Sequence, residues 1–592
     1  MAPTHPTDLF ARARAWLDDD PDPATRAELS ELLARAECDD SGEGPGSEGC
    51  ARAWSELARR FAEPLRFGTA GLRGALGAGP NRMNRAVVIR TTAGLAEFLK
   101  GRQDGGGEPP LVVVGHDARH RSEDFARDAV AVLTGAGLRA ALLPGPLPTP
   151  VLAFAVRSLD AAAGIAVTAS HNPAQDNGYK VFLGGPEDGG SQLVPPAEAE
   201  ISERIEAVDA VGAVPRAESG WQVLDDSIVE AYLDRSASVV DQGSPRDLAV
   251  VYTPLHGVGR RTLQAAFKRA GFPPPTVVTE QGEPDPDFPT VPFPNPEEPG
   301  AMALAFRTAS AIGPDLVLAN DPDADRCAVA VPDHSGEGPD GWRMLTGDEV
   351  GALIAAHLVH RRAQGTFATT LVSSSVLRRI ADAAGLPYTE TLTGFKWLTR
   401  VPGLRYAYEE ALGYCVDPDG VRDKDGITAA LLICELAAEL KESGRTLQDL
   451  LDDLALAYGL HATEQVSVRV GEPKRIADAM ARLREAPPEQ LAGLRVDSAE
   501  DLSAGVDGLP PTEGLRYRLA GAEGGGAAVE RARVVVRPSG TEPKLKCYLE
   551  VVLPVPSSAE LTAVRAAARC RLAALGREIT QAAGLEPART RA

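Results

Sequence analysis

The 592-residue chain has only seven cysteines, at 38, 50, 327, 415, 434, 547 and 570, and none forms a Cys-x-x-Cys pair or a Cys/His ligand cluster. An odd number of scattered thiols excludes a disulfide-framework class and a zinc module, and points to reduced thiols in a cytoplasmic protein. No apolar stretch approaches the ~18 residues of a membrane span, so no membrane partner is expected. Met1 to Asp20 carries arginines and a run of aspartates but no apolar h-region, so no secretory signal is expected. Positive charge is also in deficit: 61 Lys plus Arg stand against 83 Asp plus Glu, a net charge of −22. Nucleic acid needs a basic face, and none is expected as a partner. A small phosphorylated ligand stays compatible with this balance, provided a few cations converge locally.

What the chain does have is length and an ordinary globular composition, 44% hydrophobic and 24% charged. At roughly 100–200 residues per domain, three to five domains are expected. Leu9, Phe10, Trp16 and Leu17, then Leu29, Leu32 and Leu33, recur at helical spacing around an Asp/Pro turn at 18–23, which predicts a two-helix arm. The Gly/Glu/Ser-rich stretch 39–49 reads as a loop. Three strand–helix blocks follow. Their strand-like runs include Leu111–Val114 and Ile165–Val167, Leu248–Thr253 and Leu316–Ala319, and Phe367–Val372 and Leu404–Tyr408. Such alternation predicts mixed or parallel sheets sandwiched by helices, with ligands at the carboxyl ends of strands. After about residue 463 the runs Val466–Val470, Tyr517–Leu519, Arg533–Val536 and Tyr548–Val552, with helices at Arg475–Arg484 and Ala559–Leu575, predict a separate α+β domain.

Several polar loops end these strands. Thr168-Ala169-Ser170-His171-Asn172-Pro173 offers a serine able to carry a phosphoryl group, with an imidazole beside it and a stiffening proline. Taken alone it also describes an ordinary Ser/Asn turn. Asp321-Pro322-Asp323-Ala324-Asp325-Arg326 sets three carboxylates at alternate positions, so that in an extended segment all three point one way and suit a divalent cation. It is not a calcium EF-hand, since Arg326 and Pro332 stand where Gly and Glu are required; a solvated acidic turn is the plain alternative. Arg326 can complement the same charge. Arg537-Pro538-Ser539-Gly540-Thr541-Glu542-Pro543, with Lys544 and Lys546 beyond, reads either as a phosphate clamp or as a hairpin turn with basic flanks. Glu409 and Glu410 can take sugar hydroxyls, or can be two solvated glutamates at a strand end. Thr393-Gly394-Phe395-Lys396-Trp397 places a lysine beside a glycine turn, as a phosphate or hydroxyl contact or as a snorkelling side chain. Arg66 to Gly74 is glycine-dense with two arginines, Arg66 and Arg73.

Together, TASHNP, DPDADR and RPSGTEP in this order resemble the α-D-phosphohexomutase family, the phosphoglucomutases and phosphomannomutases. RFGTAGLRG and the N-terminal arm are similar to its long, phosphoglucomutase-2-type branch. The resemblance implies three similar mixed α/β sandwich domains and a C-terminal α+β, TATA-binding-protein-like domain around a central cleft. The expected boundaries are an arm at 1–60, domain I at 61–225, domain II at 226–338, domain III at 339–462 and domain IV at 463–592. It implies Ser170 as phosphoserine, and Asp321, Asp323 and Asp325 holding Mg²⁺ with a phosphoserine oxygen. Lys180, His171 and Arg73 are expected to serve the transfer chemistry, with a Lys180 pKa lowered by burial or by Arg73. Arg326, Thr393, Gly394, Lys396, Glu409, Glu410, Arg537, Ser539, Gly540, Thr541 and Lys546 are expected to bind substrate. Glucose 1,6-bisphosphate is the implied activator and intermediate. The implied reaction is hexose 1-phosphate to hexose 6-phosphate by a cytoplasmic monomer or homodimer. Ala411, where relatives often carry serine after the paired glutamates, leaves glucose, mannose and pentose open. Phosphopentomutase, a serine-ester phosphatase and a sugar-phosphate sensor are the alternative readings.

Overall fold

The computed structural model describes residues 6–37, 47–66, 71–102, 107–333, 338–470, 472, 474–522, 529–539 and 544–585. Two compact units divide them: 1–241 with 249–343 and 417–431, and 242–248 with 344–416 and 432–592.

The first unit opens with helices Pro6–Asp19, Pro23–Ala36 and Ser47–Arg60. The first two are the expected arm, and Leu9, Leu29, Leu32 and Leu33 lie in its core with Leu57 of the third and Phe61 just after it. The third helix corrects the loop expectation at its end: residues 47–49 begin a helix, and 39–46 fall outside the described residues. The first sheet runs Leu72–Ala75, Asp176–Leu183, Ala163–Val167, Leu111–His116, Arg139–Pro146, Gln222–Val223. Its centre is parallel, Leu111–His116 lying between Ala163–Val167 and Arg139–Pro146, while Asp176–Leu183 returns antiparallel. Helices Arg85–Gly101, Ser122–Gly135 and Thr149–Ser158 cover it, burying Phe98, Val112, Val114, Phe125 and Ile165. In the second sheet Leu316–Ala319 pairs parallel with Val250–Thr253 and antiparallel with Ala328–Pro332.

In the second unit, Thr366–Thr370 lies between parallel neighbours Tyr388–Thr391 and Leu404–Glu409, and Gly413–Cys415 folds back antiparallel. The last sheet is antiparallel in the order Leu460–Arg469, Lys544–Leu553, Val529–Pro538, Leu515–Ala522, Leu494–Asp501, Gln490–Leu491. Strand alternation gives it two different faces. Val534, Val536, Leu549 and Val551 pack with Leu572 and Leu575 of the helix Leu561–Ala582. Val535 and Tyr548 turn the other way and pack with Leu371, Val372 and Leu392. The four-sheet α/β architecture is the one expected from the sequence.

One expectation about thiols is corrected: Cys50 is disulfide-bonded, whereas Cys327, Cys415, Cys434, Cys547 and Cys570 are free. Among the described residues, no helix is long and apolar enough to cross a membrane.

Candidate active site

In the first unit, Ala163–Val167 delivers the Ser170 turn and Leu316–Ala319 delivers the acidic turn, each at a strand's carboxyl end. Ser170 and Ala324 adopt left-handed backbone conformations, φ +52° and +54°, which non-glycine residues hold only when the surroundings impose them. Around Ser170 the imposing group is Arg119. Its buried guanidinium donates to the carbonyls of Ser170 (2.6 Å), Asn172 (2.6 Å), Pro173 (2.8 Å) and Asp176 (3.2 Å). Asp117 balances its charge at 3.3 Å, and the Phe288 ring lies 4.8 Å from the guanidinium. Sequence reasoning missed Arg119. The signal was present in Asp117-Ala118-Arg119, immediately after a strand.

The Ser170 hydroxyl donates to Asp321 Oδ2 at 2.6 Å, and its oxygen lies 3.4 Å from His171 Nδ1. Asp321, Asp323 and Asp325 are fully buried, and their oxygens lie close enough to share one ion. Extended alternation, the sequence-based reason for their convergence, is not what brings them together. Residues 322–324 form a turn, closed by Ala324 N–H to Asp321 C=O at 2.8 Å. Two glycines let other backbone approach this turn. A Cβ on Gly257 would stand 2.3 Å from Pro322 Cα, and one on Gly426 would stand 2.2 Å from Arg326 O.

Lys180 lies on the antiparallel strand Asp176–Leu183, in register with Ala166. Its Nζ donates to Asp323 Oδ2 at 2.7 Å and Asp325 Oδ2 at 3.0 Å. Burial would lower its pKa, but the Asp323 and Asp325 carboxylates outweigh burial and Arg73, so the pKa is raised. The expected lowering is therefore overturned. Thr149 Oγ1 donates to Asp323 Oδ2 at 2.8 Å. Lys424, a second residue sequence reasoning missed, reaches Asp325 Oδ2 at 3.4 Å. Burial, then the neighbouring carboxylates, push Asp321 well above the usual carboxyl range. Against the same burial, Lys180 and Lys424 hold Asp325 below it. Among the described residues, the buried Asp323 Oδ1 and Asp325 Oδ1 atoms have no hydrogen-bond partner. Unsatisfied hard oxygens in a cluster of three buried carboxylates fit a divalent cation. The Arg326 backbone N–H donates to Asp321 Oδ1 at 3.1 Å, and its Nε stands 3.8 Å from Asp325 and 3.9 Å from Asp321. Burial first, then Arg326 and Arg73, lower the His171 pKa well below the ordinary value. Arg73 reaches Asn172 Oδ1 at 3.4 Å. Phe67 to Ala70, in the glycine-dense string before it, lie outside the described residues.

The second unit carries the other expected residues. Glu409 ends a strand and pairs with Gly413 across a tight hairpin whose Leu412 is left-handed, φ +61°. Glu410 Oε2 accepts from Ser373 Oγ at 3.0 Å and Thr370 Oγ1 at 3.3 Å. Gly394, φ +107°, starts the short helix Phe395–Leu398. Lys396 is buried, its Nζ 6.0 Å from the Trp397 ring centroid. Arg537 donates to the Thr393 hydroxyl and sits opposite Lys546 in the sheet, where Lys546 Nζ lies 5.9 Å from the Tyr548 ring centroid. The Ser539 N–H donates to Lys544 O at 2.9 Å. Gly540 and Thr541 lie outside the described residues.

Comparisons with known proteins show the family of the chain. Four models of phosphoglucomutase/phosphomannomutase domains cover the chain in order: α/β/α domain I at 64–211, domain II at 230–336, domain III at 346–458 and the C-terminal domain at 466–568. A "Probable phosphomannomutase" of Haemophilus influenzae is 44% identical over 79% of this chain and 93% of its own. A phosphopentomutase of Homo sapiens is 35% identical over 85% of this chain and 87% of its own. A solved phosphoglucomutase/phosphomannomutase family protein of Burkholderia thailandensis superposes with a TM-score of 0.62 at 19% identity, over 88% of this chain and 97% of that one, and so shares the fold.

Proposed function

The chain belongs to the phosphoglucomutase/phosphomannomutase family and is a phosphomutase, and on that premise we propose that it interconverts hexose 1-phosphate and hexose 6-phosphate through phospho-Ser170 and a 1,6-bisphosphate. The observation that carries the reading is the Ser170 hydroxyl at 2.6 Å from Asp321, beside the orphaned oxygens of Asp323 and Asp325. Those three carboxylates fit Mg²⁺, which when bound would neutralise charge on the transferring phosphoryl group.

The chain's own residues supply the rest. The Ser170–phosphorus bond breaks as a sugar hydroxyl oxygen bonds to phosphorus, and the hydroxyl proton must leave. His171 Nδ1, 3.4 Å from Ser170 Oγ, and Lys180 are the groups proposed to handle protons there. The second phosphoryl of the bisphosphate then returns to Ser170, leaving the isomeric monophosphate. Arg119 keeps the serine aimed throughout. Arg326, Glu409, Glu410, Thr393, Gly394, Lys396, Lys546 and the Arg537–Thr541 segment are proposed to recognise the sugar phosphate, and Arg73 to complement its charge.

A coupled assay with glucose 1-phosphate, mannose 1-phosphate and ribose 1-phosphate, with and without glucose 1,6-bisphosphate, tests the assignment. A hexose substrate is expected to turn over fastest and to need the bisphosphate. Ser170→Ala is expected to abolish turnover while leaving thermal unfolding unchanged. Release of inorganic phosphate without an isomerised sugar would instead indicate a phosphatase. Preference for ribose 1-phosphate is the second reading, favoured by the human phosphopentomutase relative.

A further inference from the structure

The outward face of the C-terminal sheet is unusual for a packed surface: Arg533 and Glu550 stand opposite each other on neighbouring strands, with Tyr548 and Val535 beside them. Both charged residues act on one turn of the preceding α/β domain, residues 371–375. Arg533 donates from Nη1 to Leu371 O at 3.1 Å and from Nη2 to Ser373 O, and pairs with Glu550 Oε2 at 3.0 Å. Glu550 Oε1 accepts from the Ser375 N–H at 2.7 Å and from the Ser374 and Ser375 hydroxyls at 2.9 and 3.0 Å. Their partners in this turn all lie within two residues of Ser373, which is buried; Glu550 Oε1 also lies 3.4 Å from His461 Nδ1. The Ser373 hydroxyl in turn meets Glu410, donating to Oε2 at 3.0 Å and accepting the Glu410 N–H at 3.3 Å, with the Thr370 hydroxyl 2.8 Å away.

We propose that Arg533 and Glu550 are positioning residues for sugar recognition: they fix the Ser373 turn, and Ser373 fixes the carboxylate and backbone of Glu410. A free Glu410 side chain would have to lose rotamer freedom on meeting substrate, whereas a pre-oriented one does not. The inference rests on the reading of Glu410 as a sugar-recognition residue. It adds that the antiparallel C-terminal domain, besides offering its own loop to phosphate, determines how an α/β-domain carboxylate is presented.

The test is a double-mutant cycle on the full chain, read as kcat/KM for whichever of the three sugar phosphates the wild type turns over fastest. Ser373→Ala and Arg533→Lys are each expected to raise KM about tenfold, the scale of one lost hydrogen bond to a charged group, with little change in kcat. Ser373→Thr, which keeps the hydroxyl, is expected to recover most of the loss. In a Glu410→Ala background neither substitution should lower kcat/KM further. Thermal unfolding of each variant separates this from loss of fold. Additive losses in that background, or an unchanged KM in folded Ser373→Ala, would overturn the positioning role while wild-type turnover stands. No wild-type turnover of any of the three sugars would overturn the mutase reading and this inference together.

Discussion

Asp348 shows how one buried carboxyl can make stability depend on pH. It is the second residue of the helix Gly347–His360, and it accepts from Ser374 N–H at 2.6 Å, Thr463 Oγ1 at 2.8 Å and the Tyr408 hydroxyl at 3.1 Å. Burial nevertheless pushes its pKa up to about 7, and the charges of Glu410 and Glu550 add to the rise. The folded chain therefore binds this proton more tightly than the unfolded chain does. Its contribution is full below about pH 4 and is lost as pH rises towards 7, at about 1.4 kcal/mol per pH unit. Urea unfolding of wild type and Asp348→Asn at successive pH values should show the wild-type advantage shrinking across that window and levelling above it; a constant difference would refute the assignment. At Arg119, replacement by lysine keeps the charge but loses the planar fork that spans four carbonyls. Turnover is expected to fall about a hundredfold through misplacement of Ser170, with protein-bound phosphate after incubation with glucose 1,6-bisphosphate falling in parallel. Ser170 and the three aspartates were legible because each group is contiguous in sequence. Arg119 and Lys424 are harder to read, because their targets are backbone carbonyls and a carboxylate far away along the chain.

At the level of elements, strands whose buried residues run consecutively were read nearly to their ends: Leu316–Ala319 is as expected. The strand Leu494–Asp501 escaped because its outward residues are charged and its neighbours lie elsewhere in the chain. The helix Gly347–His360 also escaped: it is apolar nearly all round, so no stripe marks it. A usable signal lay at its start, where Thr346 and Glu349 form a capping box. The second acidic-turn contact illustrates a different limit. Gly426 begins the helix Gly426–Glu442, and only its missing side chain lets that start meet the Arg326 carbonyl. Gly426→Ala should therefore displace the acidic turn, costing roughly 1–3 kcal/mol as overpacking does. The expected readouts are a lower melting temperature and a higher Mg²⁺ concentration for half-maximal turnover.

For the whole molecule, the two units are not consecutive lengths of chain: residues 417–431 belong with the first although they follow most of a domain of the second. That segment brings Lys424 to Asp325 at 3.4 Å, Asp423 to Gln192 at 2.6 Å and Asp425 to the Tyr232 hydroxyl at 3.0 Å. A chain ending at Arg343 loses all three partners, and each buried polar group left unpaired costs on the order of 1–3 kcal/mol. It is expected to melt well below the first transition of the full protein in calorimetry, and fusion of 417–431 to its end should recover part of the difference. The same arrangement bears on biosynthesis. At about 5–20 residues per second, a ribosome needs roughly 5–20 s to travel from Asp325 to Lys424. During that interval the nascent acidic turn waits without one of its cations.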